Sequence, residues 1–130
     1  MNILVDSSVW IDLFNGSKTP ETEKLEKLIR NDEQVCLSPT ILQEVLQGFK
    51  TDSDYETAKN LLMAFPILIV DTLDLAIQAA DLYRGLRKKG ITINTSNDCL
   101  IAMTAKNMKC SILSSDKDLK KIIKHLNLPI

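Results

Sequence analysis

The hydrophobic residues of this chain occur in two kinds of segment, short uninterrupted runs and longer stretches with helical spacing. The short runs lie at residues 3–5, 35–37, 67–70 and 111–113. They are too short and too uniformly apolar for strands with one face in water, whereas strands covered on both faces of a parallel sheet have this composition. The pattern therefore predicts four strands in a mostly parallel sheet.

The stretches between these runs have apolar residues three or four positions apart, which predicts helices. Residues that cap, start or stop helices mark their ends, namely Ser38-Pro39, Pro66, Thr72, Gly90, Thr95-Ser96 and Asp116. A further helix starts at Ser7, and its Trp10 and Phe14 share one face. This favours packing against the sheet, although an aromatic ring there could also stack on a base. Strands that alternate with helices indicate a single α/β domain over residues 1–130.

The overall composition excludes several classes of protein. Of the 130 residues, 45% are hydrophobic and 25% are charged, which is ordinary for a globular protein and not for a disordered one. The formal net charge is −1, so any nucleic acid must be bound by a local basic patch. One histidine and three cysteines without a Cys-x-x-Cys pair disfavour a four-ligand zinc site.

Localisation is predicted from the same features. Unpaired thiols indicate a reducing compartment. The first residues lack the basic segment of a signal peptide. The longest apolar run, residues 61–70, contains Pro66 and has about half of the roughly 20 residues needed to span a bilayer. We therefore expect a cytoplasmic protein without a membrane-spanning segment.

Four acidic residues are predicted to lie at the same edge of the sheet. Asp6 and Asp116 follow the first and the fourth run. Asp98 lies in the first turn of one predicted helix, and Glu44 lies in the second turn of another. The carboxyl ends of parallel strands and the amino ends of their helices share one edge, where ligands usually bind. Carboxylates gathered there repel one another unless a cation intervenes, and Mg²⁺ and Mn²⁺ prefer such all-oxygen sites.

Each of these acids also has a purely structural interpretation. Asp6 and Asp116 are suitable N-cap residues. In a first turn Asp98 is favoured by the helix dipole, and Glu44 alone is typical of a solvated helix position. We interpret Asp118 only as an acid that favours the helix dipole. The convergence of four acids favours the metal-site hypothesis, since independent caps need not share an edge.

Four segments carry motifs, namely 5–12 (VDSSVWID), 38–48 (SPTILQEVLQG), 97–105 (NDCLIAMTA) and 112–119 (ILSSDKDL). In this order and spacing, over nearly the whole chain, they resemble PIN-domain ribonucleases, and more narrowly the VapC toxins of bacterial toxin–antitoxin pairs. Ser7 and Ser114 stand where threonine is usual in the family, and Leu119 stands where phenylalanine is common. The hydroxyl groups and the apolar character of these positions are therefore kept.

The resemblance implies a three-layer PIN-like fold with a central, mostly parallel sheet of four or five strands flanked by helices. It also implies metal-dependent hydrolysis of RNA phosphodiester bonds at a site for Mg²⁺, or Mn²⁺ as a substitute, formed by Asp6, Glu44, Asp98 and Asp116. Ser8 and Ser114 are expected to hydrogen-bond these carboxylates. The family's toxins form homodimers and are inhibited by a small antitoxin protein, so both partners are expected here.

A basic run near the end of the helix predicted between Thr72 and Gly90 has two interpretations. The run consists of Arg84, Arg87, Lys88 and Lys89 and is the densest positive cluster in the chain. Such a cluster suits contact with an RNA backbone. Cations at the carboxyl end of a helix are equally favoured by its dipole, without any ligand.

Two other functions remain open from the sequence. A receiver-type phosphorylation domain has a similar size, an Ile-Leu-Val-Asp opening and an acid such as Asp71 after its third strand, but it needs adjacent acids where Ser7 and Ser8 stand. A non-catalytic PIN-like interaction module keeps the fold and uses its acids as caps. RNA cleavage that depends on a divalent metal distinguishes the enzyme from both alternatives.

Overall fold

The computed structural model describes residues 1–129. Within this range, helices surround a small central sheet. In chain order the elements are β1 (Ile3–Val5), α1 (Ser7–Phe14), α2 (Pro20–Arg30), β2 (Val35–Cys36), α3 (Pro39–Leu46), α4 (Asp52–Leu62), α5 (Thr72–Lys88), α6 (Asn97–Met108), β3 (Ser111–Leu113) and α7 (Lys117–Leu126).

The three strands form a parallel sheet in the order β2-β1-β3. In the middle strand, Ile3 pairs with Val35 on one side and with Ser111 on the other. Leu4 and Val5 are completely buried, as are most apolar residues of the neighbouring strands. The prediction of an α/β fold with a parallel sheet flanked by helices is therefore confirmed.

The strand predicted at residues 67–70 is wrong, and the described sheet has three strands rather than four or five. A single parallel bridge links Leu37 to Ile67. It consists of one hydrogen bond from the Leu37 N–H to the Pro66 carbonyl at 3.0 Å and one from the Leu68 N–H to the Leu37 carbonyl at 2.8 Å. Pairing ends there because the chain turns to the surface, where Ile69 is 71% exposed.

The helix starts follow from local capping, with one correction. Ser38 caps α3 as predicted, because its hydroxyl accepts a hydrogen bond from the Ile41 N–H at 3.3 Å. Thr72 is not the cap of α5. Asp71 caps it instead, since its carboxylate accepts from the N–H groups of Leu73 and Asp74 at 3.0 and 3.1 Å.

The aromatic face of α1 is part of the core. Trp10 is completely buried and lies against Phe14 and Phe65, with ring centroids 6.4 and 5.3 Å away. Phe14 in turn meets the edge of Phe49 at 5.5 Å. Stacking of Trp10 on a nucleic-acid base is therefore excluded, and its predicted packing role is confirmed. In residues 1–129, every helix is too short or too polar to cross a membrane.

Candidate metal centre

The fold brings the four predicted acids to the carboxyl edge of the sheet. Asp6 directly follows β1 and caps α1, and Asp116 follows β3 and caps α7. Asp98 is the second residue of α6, and Glu44 lies in the second turn of α3. Asp6 and Asp116 therefore cap helices and also lie together at this edge, because a residue between a strand and the following helix is placed at the carboxyl edge of the sheet.

Asp6 is held by hydroxyl groups from two elements. Only 3% of the residue is exposed. Its Oδ2 accepts hydrogen bonds from Ser8 Oγ at 2.6 Å, from Ser114 Oγ at 3.0 Å and from the Ser8 N–H at 3.3 Å. Ser114 Oγ also accepts from the Asp116 N–H at 2.9 Å. Ser8 and Ser114 therefore lie where the sequence placed them, fixing one carboxylate between β1, α1 and the end of β3.

Glu44 is half-buried and has two polar partners. Ser7 Oγ donates to its Oε1 at 3.2 Å, and Asn97 Nδ2 donates to its Oε2 at 3.5 Å. Burial raises the pKa of Glu44, and the charges of Asp6 and Asp116 raise it further, while the hydrogen bonds from Asn97 and Ser7 lower it. Sequence reasoning did not assign Ser7 or Asn97 to the site, although both lie beside predicted site residues.

Asp98 is as buried as Asp6 but is not satisfied. It is 4% exposed, and its Oδ2 has no hydrogen-bond partner among residues 1–129. Burial, together with the negative charges of Asp116, Asp6 and the other acids of the site, raises its pKa to about 7. A buried carboxylate oxygen without a donor is unusual, because its lost hydration is not replaced by protein groups.

Asp118 is a fifth acid at this edge. Single carboxylate oxygens of Asp98, Asp116 and Asp118 lie within 4.8 Å of one another. The Oδ2 of Asp118 accepts from the Asn94 N–H at 2.9 Å. Its Oδ1 lies 3.8 Å from the Lys121 ammonium. The sequence analysis assigned Asp118 to the helix dipole alone, so its place in this cluster was missed.

The site has a strong excess of negative charge. Of the five acids, Asp118 has a cationic side chain within 4.0 Å, and the other four have none among residues 1–129. Backbone N–H groups offset part of the charge, since Asp116 Oδ1 accepts from Asp118 and Leu119 at 2.7 and 3.1 Å. Closely spaced carboxylates of this kind are suited to bind a hard divalent cation.

The predicted basic run lies on the surface near the start of α6. Arg84, Arg87, Lys88 and Lys89 are all exposed. Arg84 borders a shallow groove together with Ser96 and Leu100, at the start of α6. Arg87 lies with its guanidinium 5.8 Å from the centre of the Tyr83 ring.

Comparison with known proteins identifies the family and the fold. The sequence model of the PIN domain matches residues 3–124. Ribonuclease VapC11 of Mycobacterium tuberculosis is 30% identical over 127 residues, which cover 97% of this chain and 95% of that protein. Two solved structures have the same fold at low sequence identity. VapBC2 from Rickettsia felis, bound to a DNA fragment from their promoter, has a TM-score of 0.74 at 19% identity and covers 93% of this chain and 92% of that one.

The second is a toxin–antitoxin complex from Klebsiella pneumoniae, with a TM-score of 0.69 at 23% identity, covering 90% of this chain and 89% of that one. The family match removes the receiver-type alternative, and Asp71 serves as the exposed cap of α5. With the family's sequence pattern extending from β1 into α7 and its acids gathered at one edge of the sheet, this chain belongs to the PIN domain family.

Proposed function

We propose that this chain is a cytoplasmic, metal-dependent endoribonuclease, folded as one domain over residues 1–130, and the toxin of a type II toxin–antitoxin pair. The observation that carries the proposal is the buried, unpartnered Oδ2 of Asp98 amid four further carboxylates. The name of the 30% identical relative, a ribonuclease, supports RNA as the substrate. The toxin–antitoxin complex with the same fold supports an antitoxin partner.

The residues present fit a divalent cation. The oxygens that could ligate it belong to carboxylate and hydroxyl groups, which Mg²⁺ and Mn²⁺ prefer. The buried Oδ2 of Asp98 accepts no hydrogen bond from residues 1–129. We assign the cation to Asp6, Glu44, Asp98 and Asp116. When bound, it supplies positive charge that stabilises a phosphodiester during hydrolysis and promotes the ionisation of water.

The chain's own groups orient the reaction. The hydroxyls of Ser8 and Ser114 hold the Asp6 carboxylate in one orientation. Ser7 and Asn97 restrain the two oxygens of Glu44. Because burial raises the pKa of Glu44, its carboxylate is a better proton acceptor, and we assign it as the base that accepts the proton of the attacking water.

We place the RNA backbone along the exposed end of α5. Arg84, Arg87, Lys88 and Lys89 are exposed and supply the positive charge that an RNA backbone needs, and Arg84 borders a groove with Ser96 and Leu100 at the start of α6. Their replacement by glutamine is expected to weaken RNA binding, with a smaller salt dependence of the dissociation constant. Unchanged binding and salt dependence contradict this assignment.

The test of the enzyme is RNA cleavage by the purified chain. We expect cleavage with Mg²⁺ or Mn²⁺, its loss in EDTA, and at least a roughly hundredfold loss in Asp98→Asn, because that variant removes a charged oxygen from the metal site. Asp81→Asn is the matched control, since Asp81 lies exposed on α5 and is not one of the acids of the site. Equal cleavage by wild type and Asp98→Asn overturns the proposal and favours the non-catalytic module.

The expected partners are tested separately. Sedimentation of the purified chain is expected to show a homodimer, as the family resemblance implies. A pull-down from the native host is expected to recover a small protein that suppresses the cleavage activity. An active chain that remains a monomer contradicts the homodimer, and an active chain without such an inhibitor contradicts the toxin assignment.

A further inference from the structure

The metal-ligating acids need not be the four that the motifs indicate. Asp98, Asp116 and Asp118 form the tightest acidic group among residues 1–129, with one oxygen of each within 4.8 Å of the other two. They come from the start of α6 and the start of α7. The same cleft is bordered by Asn94 and Lys121.

An independent observation at Asp98 points to a ligand. The Oδ2 of Asp98, in a residue only 4% exposed, accepts no hydrogen bond from residues 1–129. A buried carboxylate of this kind is normally paired or coordinated to a metal. Its neighbours in the cluster are carboxylates, which cannot donate to it when ionised.

The spacing of the cluster suits a small cation. With a bond length to oxygen of about 2.1 Å, neighbouring oxygens around a bound Mg²⁺ are about 3 Å apart and opposite oxygens are about 4.2 Å apart. The three oxygens lie within 4.8 Å of one another, so side-chain rotations that bring them closer by up to about 1.8 Å allow them to share one cation. Asp118 is already positioned for this, because the Asn94 N–H donates to one of its oxygens at 2.9 Å.

We propose that Asp118 is a ligand of the divalent cation, which it shares with Asp98 and Asp116, and that the Lys121 ammonium is the counter-ion it gives up when the cation binds. This rests on the metal dependence in the proposed function. Lys121 suits that role because its side chain is 58% exposed and lies 3.8 Å from Asp118, so it can move into water at little cost.

Calorimetric titration of the full chain with Mn²⁺ tests the proposal. We expect Asp118→Asn to weaken Mn²⁺ binding about tenfold or more, since asparagine keeps the acceptor for Asn94 but loses the charge. Lys121→Met is expected to tighten binding, because the competing ammonium is removed. Asp81→Asn and Lys124→Met are the matched controls, and both are expected to bind as the wild type does.

A spectroscopic measurement separates a ligand from a nearby charge. Luminescence lifetimes of bound Tb³⁺ in H₂O and D₂O count the water molecules on the ion. Asp118→Ala, which has no side-chain oxygen, is expected to retain about one more water on the ion than the wild type if Asp118 is a ligand. Circular dichroism confirms that the variant is folded.

The outcomes are distinguishable. If wild type binds Mn²⁺ and cleaves RNA while Asp118→Asn binds Mn²⁺ equally well, Asp118 is not a ligand and the proposed function stands. If Mn²⁺ binding weakens but the water count is unchanged, Asp118 acts only as a nearby charge, and the proposal is again overturned. If the wild type binds no divalent cation, the proposal and the metal-dependent function fall together.

Discussion

Asp6 and Asp98 lie at the same edge of the sheet with opposite surroundings. They are equally buried, with 3% and 4% of each residue exposed. Asp6 receives three hydrogen bonds from Ser8 and Ser114, whereas the Oδ2 of Asp98 receives none from residues 1–129. Hydrogen bonds from the protein therefore compensate the desolvation of the Asp6 carboxylate. The desolvation of the Asp98 carboxylate is compensated only when the chain binds a ligand there.

The largest expected effect on stability comes from Asp6. Asp6→Ala removes the cap of α1 and leaves the hydroxyls of Ser8 and Ser114 without their shared acceptor. We expect the metal-free chain to lose about 1–3 kcal/mol of unfolding free energy, measured by urea denaturation. Asp6→Asn, which keeps an acceptor, is the control and is expected to lose less. A loss below about 0.5 kcal/mol for Asp6→Ala contradicts the idea that Asp6 is satisfied internally.

The next effect is a dependence on pH that comes from Asp98. Its pKa is about 7 in the folded chain and near 3.8 when unfolded, so the folded state binds the proton more tightly. Its contribution to stability is full below pH 4 and is lost as the pH rises to 7, with a slope of at most about 1.4 kcal/mol per pH unit. Denaturation without metal across this range measures it, and Asp98→Asn is expected to lack this component. Identical pH profiles for the two proteins refute it.

Asp98→Asn is expected to change stability in the direction opposite to Asp6→Ala. At pH 8 without metal, it replaces a buried charge that has no partner, so the unfolding free energy is expected to rise by about 1 kcal/mol. Thermal or urea denaturation measures the change. Adding Mn²⁺ is expected to reverse the order, because the cation stabilises only the wild type. If metal-free Asp98→Asn is instead less stable than the metal-free wild type, the Asp98 carboxylate already has favourable partners within the protein.

Glu44 is the intermediate case and gives the smallest effect. It is half-buried, and its hydrogen bond from Asn97 is long at 3.5 Å. Asn97→Ala is therefore expected to lower the unfolding free energy by about 0.5 kcal/mol. A loss above about 1.5 kcal/mol indicates that Glu44 depends on its partners as strongly as Asp6 does.

The parts of the fold that local sequence controls were predictable. Ser38-Pro39 starts α3, and Asp6 and Asp116 both cap helices at the sheet edge, because a cap requires only the residue and its next three N–H groups. The family motifs then gave the four acids. The prediction that Thr72 caps α5 is wrong by one position, because Asp71 caps the helix and both residue types are suitable caps.

The features that depend on contacts between distant segments were not predictable. Residues 67–70 are as apolar as the true strands, and only the turn of Ile69 into solvent ends their pairing. No helix was predicted at α2 because its apolar stripe is thin, with Thr22 and Leu25 as the buried positions. Asp118 was missed because its partners, Asn94 and Asp98, come from another part of the chain.

The lone bridge between Leu37 and Ile67 has a consequence for local opening. Two main-chain hydrogen bonds join residues 66–68 to the edge of the sheet, whereas all three residues of β1 pair with β3 and two of them also pair with β2. Amide hydrogen exchange is therefore expected to be faster at Leu37 and Leu68 than at Leu4 and Val5. Local opening at residues 66–68 therefore breaks two main-chain hydrogen bonds, while the strands that position Asp6 and Asp116 remain paired.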